Sequence, residues 1–135
     1  MCIRDRDRYG LHLARARVYA ARREPGPMRE ALTSAIESAG ADLDRLVAAH
    51  GLHGALLASL GNDRGAIDAY LMAHGLTAPD APYLIEILEA SARINDRPGV
   101  EQACATLAER GPLDARAGAV CNRGVSRSPV GDAGR

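Results

Sequence analysis

Two histidines in the middle of the chain, His50 and His53, have a spacing compatible with binding a shared metal ion. If both lie on a helix they occupy one face of it, and imidazole nitrogens are common zinc ligands. The acidic residues Asp42 and Asp44 precede the pair by about two helical turns, too far to complete a ligand set. We therefore predict no metal site and expect the histidines to contribute to helix packing or to lie in solvent.

One serine stands in part of a catalytic motif. Ser59 is followed by Leu60 and Gly61, which matches the second half of the Gly-x-Ser-x-Gly nucleophile elbow. The full motif needs a glycine where Leu57 stands and a strand before it. We therefore interpret Ser59 as a residue on a helix surface. The isolated His12 and His74 are interpreted as packing or solvated residues, so the sequence predicts no catalytic residue.

The three cysteines are Cys2, Cys104 and Cys121. They lack metal-ligand spacing, and their odd number does not indicate a disulfide framework. Cys104 falls on the apolar side of a predicted helix with no neighbouring cation that would activate a thiolate. We expect it to be a small buried hydrophobic residue.

Arginines cluster near the start of the chain and could bind a phosphate or carboxylate group. The cluster comprises Arg15, Arg17, Arg22, Arg23 and Arg29. Glu24 and Glu30 lie beside it, so we predict a solvated helix face. Residues 61–65 contain two glycines but lack the lysine and the spacing of a phosphate-binding loop, and are predicted to form a turn.

The composition argues against several classes of partner. The 135 residues are 47% hydrophobic, but the chain has no Phe or Trp and only four Tyr to stack on nucleobases. Arginine supplies all 17 cations and 17 acidic residues balance them, so no net charge attracts nucleic acid or a membrane surface. No apolar run reaches the roughly 18–20 residues of a membrane-spanning helix. We predict no nucleic-acid partner, no membrane span and no cofactor.

Apolar residues recur at spacings of three and four along most of the chain, and no segment alternates with a period of two. This pattern predicts an all-α fold. The first predicted helix covers about residues 9–23, and the second begins at Pro27 or Met28. The third follows Asp42, and the fourth runs from the turn at 61–63 to Gly75. The fifth begins within residues 79–82, and the sixth begins within 95–98 and ends at Gly111. The first helix is expected to bury the stripe Leu11, Ala14, Val18 and Ala21.

Capping residues mark several helix ends. The expected N-caps are Asp42, Asn62 or Asp63, and Asp80, and Gly40 is expected to end the second helix. Glycine disfavours helix interiors, so Gly51 and Gly54 leave open whether the third segment is one helix or two pieces broken near Gly51.

A repeat connects these helices. The tripeptide Asn-Asp-Arg occurs at 62–64 and again at 95–97, 33 residues later, and precedes an amphipathic helix each time. Helix–turn–helix units at this period are typical of stacked solenoids, because a single hairpin cannot bury its apolar face alone. The sequence therefore predicts an α–α superhelix of about three antiparallel hairpins.

The central hairpin, Leu52–His74, resembles a tetratricopeptide repeat in the type and spacing of its small and large residues. The matching residues, expected to pack the two helices together, are Gly54, Leu57, Ala66, Tyr70 and Ala73, with Pro79 near the repeat end. The first and third repeats depart from this pattern. Other helical-pair repeats and a plain helical bundle are alternatives.

The resemblance implies a noncatalytic scaffold whose first helices line a concave surface that binds a protein or peptide. On the family geometry, the residues facing that surface are Gly51, Ala55, Ala58, Leu84, Leu88 and Ser91. Because the chain has no lysine, the family's clamp for acidic C-terminal peptides is not expected, and an apolar or helical ligand fits better. The alternative is the helical repeat arm of a larger truncated enzyme, for example a sulfotransferase or glycosyltransferase.

We place the repeat domain at residues 8–111. Residues 1–6 resemble a translated transposase adapter from DNA library preparation, and are not expected to belong to the fold. Residues 112–120 have the pattern of a further helix, whereas the stretch from Cys121 onwards is rich in Gly, Ser, Arg and Asp without a helical period. Residues 112–135 are therefore predicted as the start of a helix followed by an irregular or disordered tail, or alternatively a frame-shifted end.

Overall fold

A computed structural model describes residues 5–77 and 80–126, and these residues form helices and turns without any strand, which confirms the predicted all-α class. The helices are α1 (Asp5–Ala21), α2 (Pro25–Ala39), α3 (Leu43–Ser59), α4 (Asp63–Thr77), α5 (Leu84–Arg93), α6 (Arg97–Arg110) and α7 (Ala115–Ser126). The chain divides into two compact units, residues 1–83 with α1–α4 and residues 84–135 with α5–α7. Residues 1–4 of the predicted adapter segment and 127–135 of the predicted tail lie outside the described residues.

The first unit consists of two helical hairpins, α1/α2 and α3/α4, packed one on the other. Helix α3 contacts both helices of the preceding hairpin, as expected for stacked hairpin repeats. The first helix of each hairpin is α1 or α3, and these two helices are joined directly. The Tyr9 hydroxyl of α1 donates a hydrogen bond of 2.7 Å to the carbonyl oxygen of Arg45 in α3. The Arg45 guanidinium also lies over the Tyr9 ring, 5.2 Å from its centroid.

The buried face of α1 differs from the predicted one. The four residues expected in the core, Leu11, Ala14, Val18 and Ala21, are all exposed. The buried residues are instead Ala16 and Ala20, on the other side of the helix. Both faces satisfy the helical spacing, so periodicity could not choose between them. Alanine at the contact lets α2 approach closely enough to bury Met28 and Leu32.

The turns of the first unit follow capping chemistry closely. Helix α2 begins at Pro25, before the predicted start at Pro27 or Met28, because proline suits the first helical turn. The Asp42 carboxylate accepts a hydrogen bond of 3.2 Å from the Arg45 amide, which confirms Asp42 as the cap of α3. Helix α3 then continues without a break through Gly51 and Gly54. At the next turn it is Asn62 that caps α4.

The segment after α4 was predicted incorrectly. Asp80 does not cap α5, since that helix begins only at Leu84, and α4 extends to Thr77, past the expected end at Gly75. The Asp80 amide instead donates a hydrogen bond of 2.8 Å to the Thr77 carbonyl oxygen. A turn of this kind uses backbone groups that residue types alone do not specify.

The second unit is a three-helix arrangement in which α5, α6 and α7 all touch one another. Its buried core comprises Leu88, Ala103, Ala117 and Cys121. Asp96 caps α6 by accepting from the Gly99 amide at 3.2 Å, and Asp114 caps α7 by accepting from the Ala117 amide at 2.8 Å. No helix among the described residues is both long and apolar enough to cross a membrane.

Two predictions about the cysteines are wrong. Cys121 does not begin an aperiodic tail but lies inside α7, with 6% of its surface exposed. Cys104 is not a free hydrophobic residue, because it forms a disulfide with Cys121 across a Cα–Cα distance of 5.8 Å. Sequence spacing could not show this pairing, since it depends on α6 and α7 lying side by side.

Candidate functional site

The contact between α3 and α4 is built on small residues facing larger ones. A side chain at Gly54 would place its Cβ 2.6 Å from the Tyr70 ring, closer than real Cβ atoms approach a neighbour. Ala66 and Ala73 are fully buried, and Leu57 and Tyr70 are about 5% and 4% exposed. All five residues that the sequence assigned to packing are therefore buried in this hairpin. These buried residues pack α3 closely against α4.

An aromatic stack that the sequence did not predict closes one side of this hairpin. The Tyr83 ring lies 5.1 Å from the Tyr70 ring and 6.3 Å from the His74 ring, centroid to centroid. The Tyr83 amide also donates a hydrogen bond of 3.1 Å to His74 Nε2. A side chain at Gly51 would overlap the Tyr83 hydroxyl group. Tyr83 lies in a turn before α5, where no periodicity signals its role.

The six residues predicted to face a binding groove have different environments. Gly51 is buried beneath Tyr83, and Leu88 and Ser91 are buried in the second unit at 0% and 1% exposure. These three cannot contact a ligand in the present conformation. Ala55 is exposed, and Ala58 and Leu84 are half-buried. The surface that is accessible on α3 is therefore smaller than predicted.

A cleft of about 390 Å³ lies between α2, α3 and α4. Its lining contains both apolar and polar side chains. The lining residues most relevant to binding are Arg29, Leu32, Ile36, His50, His53, Leu57, Asp68 and Met72. The cleft thus contains both histidines of the predicted pair, together with one arginine of the predicted cluster.

The two histidines in the cleft favour their neutral forms. Burial lowers the pKa of both His50 and His53 below 6.5, and for His53 the positive charges of Arg29 and His50 act in the same direction. His53 Nε2 is shielded from solvent and has no hydrogen-bond partner among the described residues. No group of three or more His, Cys, Asp or Glu side chains in the described part of the chain is arranged to hold a metal ion.

The other candidates identified in the sequence do not converge on a common site. The Ser59 hydroxyl donates a hydrogen bond of 2.7 Å to the Leu56 carbonyl oxygen and is exposed at the end of α3. The remaining arginines of the cluster, Arg15, Arg17, Arg22 and Arg23, are exposed. Of residues 61–65, Gly61 and Asn62 lie in the turn between α3 and α4, and the other three begin α4. His12 is half-buried in α1.

Comparison with known proteins identifies no relative. No family model, curated protein or solved structure matches this chain. The resemblance of residues 52–74 to a tetratricopeptide repeat therefore rests on the residue pattern of that hairpin alone.

Proposed function

We propose that this chain is a noncatalytic, tetratricopeptide-like scaffold that binds a protein or peptide. The binding surface is the exposed face formed by the first helix of each hairpin. The observation that supports the proposal is the packing of α3 against both helices of the preceding hairpin. In stacked hairpin repeats this packing leaves one face of each first helix unoccupied, and that face is the usual binding surface.

The middle of the open face of α3 in the first unit is small and apolar, and the exposed Asp44 and Ser59 lie on the same side towards its two ends. Ala48 and Ala55 are both exposed and stand seven residues apart, so they lie on the same side of the helix. Ala58, half-buried, continues this side towards the end of α3. Short side chains let a ligand approach the helix closely, and they offer no charge to pair with. A ligand that supplies large apolar side chains, such as one face of an amphipathic helix, fits this surface best.

A selection experiment tests the proposal. A library of displayed peptides is selected on the purified protein, and the affinity of the enriched peptide is measured by fluorescence polarisation. Ala55→Arg places a long charged side chain on the open face and is expected to weaken binding by about tenfold or more. The matched control is Ala105→Arg, which makes the same substitution at an exposed position on α6, away from the proposed surface of α3.

The two variants separate a specific surface from general stickiness. Equal affinities of Ala55→Arg and the wild type would reject the α3 face as the binding surface. Equal losses in Ala55→Arg and Ala105→Arg would indicate nonspecific attraction. Failure to enrich any peptide family over several rounds would count against the scaffold function itself.

A further inference from the structure

Helix α7 is attached to its unit by interactions of different kinds. Among the described side chains of α7, Ala117 and Cys121 are buried and small, and Val120 is half-buried against the same core. The Arg116 guanidinium binds the Glu89 carboxylate through two hydrogen bonds of 3.2 and 2.6 Å, but the Arg116 side chain is about half exposed. Exposed ion pairs contribute little to stability. A covalent attachment is added by the disulfide between Cys104 of α6 and Cys121.

In this 12-residue helix the fully buried side chains among the described residues are small, so α7 is a weak element without that covalent bond. Helices of this length are marginal in water, and most of their stability comes from tertiary packing. Here the packing surface belongs mainly to the other two helices. Leu88 is fully buried beside Ala117 and Cys121. The half-buried Ile85, Val100 and Leu107 of α5 and α6 pack against the same cluster, as do Leu113 and Val120.

We propose that the Cys104–Cys121 disulfide is a redox latch that holds α7 over an apolar groove of α5 and α6. When the bond is intact, α7 covers Leu88 and its neighbours. When the bond is reduced, α7 detaches and the groove becomes available to solvent or to another apolar surface. This inference concerns the second unit and does not depend on the binding surface proposed for α3.

The chemistry is thiol–disulfide exchange with a dithiol reductant. Cys104 is the more exposed partner, so the attacking thiolate reaches its sulfur first. The S–S bond breaks, Cys121 leaves as a thiolate, and a mixed disulfide forms at Cys104. The second thiol of the reductant then displaces Cys104 and becomes a cyclic disulfide. Two electrons and two protons pass in total from the reductant to the two cysteines.

Hydrogen–deuterium exchange followed by mass spectrometry tests the latch. All proteins carry Cys2→Ser, so that only Cys104 and Cys121 can react. Intact mass first establishes that the purified protein has two hydrogens fewer than its reduced form. Upon reduction with dithiothreitol, we expect amides of α7 to exchange about tenfold faster or more, while α3 and α4 keep their protection. Binding of an apolar fluorescent dye should increase in parallel.

The control is a Cys104→Ser, Cys121→Ser variant, which should match the reduced protein and show no response to dithiothreitol. Unchanged exchange of α7 after reduction would overturn the proposal, because the other contacts would then suffice to hold the helix. Equal loss of protection in α5, α6 and α7 would also overturn it, since the bond would then maintain the whole unit rather than latch one helix. Purification of two free thiols that do not oxidise in air would refute the disulfide itself.

Discussion

Small residues determine how closely the helices of the central hairpin approach each other. Gly54 faces the Tyr70 ring with no room for a further carbon, and Ala66 is fully buried. The sequence identified these positions because small and large residues alternate there at helical spacing. It could not identify Tyr83, which covers Gly51 from a turn with no periodic signal.

Enlarging Ala66 should destabilise the protein. Ala66→Leu adds three carbon atoms to a fully buried position, and overpacking of this kind costs about 1–3 kcal/mol. Urea unfolding followed by circular dichroism measures the change. Ala55→Leu makes the same substitution at an exposed position of α3 and should remain within about 0.5 kcal/mol of the wild type. Equal stability of the two variants would show that Ala66 does not limit the approach of the helices.

The histidines of the cleft should make stability depend on pH. Because burial lowers the pKa of His50 and His53 below 6.5, the unfolded chain binds protons more readily than the folded one. Their contribution is therefore complete above the unfolded pKa and is lost as pH falls through the lower folded value. We expect the urea midpoint to decrease between about pH 7.5 and 5.5, and to decrease less in a His50→Gln, His53→Gln variant.

Parallel urea titrations of the wild type and the double histidine variant at several pH values provide the measurement. The quantity to compare is the slope of the urea midpoint against pH. The absolute midpoint is less informative, because either substitution also changes the packing. Identical slopes would mean that these two imidazoles are protonated equally in the folded and unfolded chains.

At the scale of elements, caps and turns explain where the helix ends predicted from the sequence agree with the structure and where they do not. Asp42 was identified correctly because an aspartate before an apolar periodic run has a direct physical role at a helix start. Asp80 has the same local appearance, yet α5 begins four residues later, after a turn closed by backbone bonds and by His74. Local residue types do not distinguish these two outcomes.

Removal of the Asn62 side chain should cost about 1 kcal/mol, because its oxygen accepts a hydrogen bond of 2.9 Å from the Gly65 amide at the start of α4. The matched control is Asp80→Ala in the same unit, which removes an exposed side chain that caps no helix. Thermal unfolding of Asn62→Ala, Asp80→Ala and the wild type gives the comparison. A larger loss for Asp80→Ala than for Asn62→Ala would contradict the assignment of these two turns.

At the scale of the whole molecule, the main addition of the structure is the covalent bond in the second unit. A disulfide that closes a loop of 17 residues stabilises a protein by about 3 kcal/mol in the chain-entropy model. That contribution matters for α7, because the bond joins this helix to α6 and the described side chains that α7 buries fully are small. The stacked hairpins of the first unit have a different basis, since Met28, Leu32, Leu57 and Tyr70 are buried there.

The sequence by itself determined the helical class, the positions of most helices and the small residues between α3 and α4, because periodicity, capping and side-chain size act over a few residues. Tertiary structure decided which face of α1 is buried, that Cys104 meets Cys121, and that Gly51, Leu88 and Ser91 are covered. Each of these depends on neighbours distant in the chain. The two histidines illustrate both contributions. Their spacing in the sequence placed them on one helix face, and packing with α2 and α4 placed that face in a cleft.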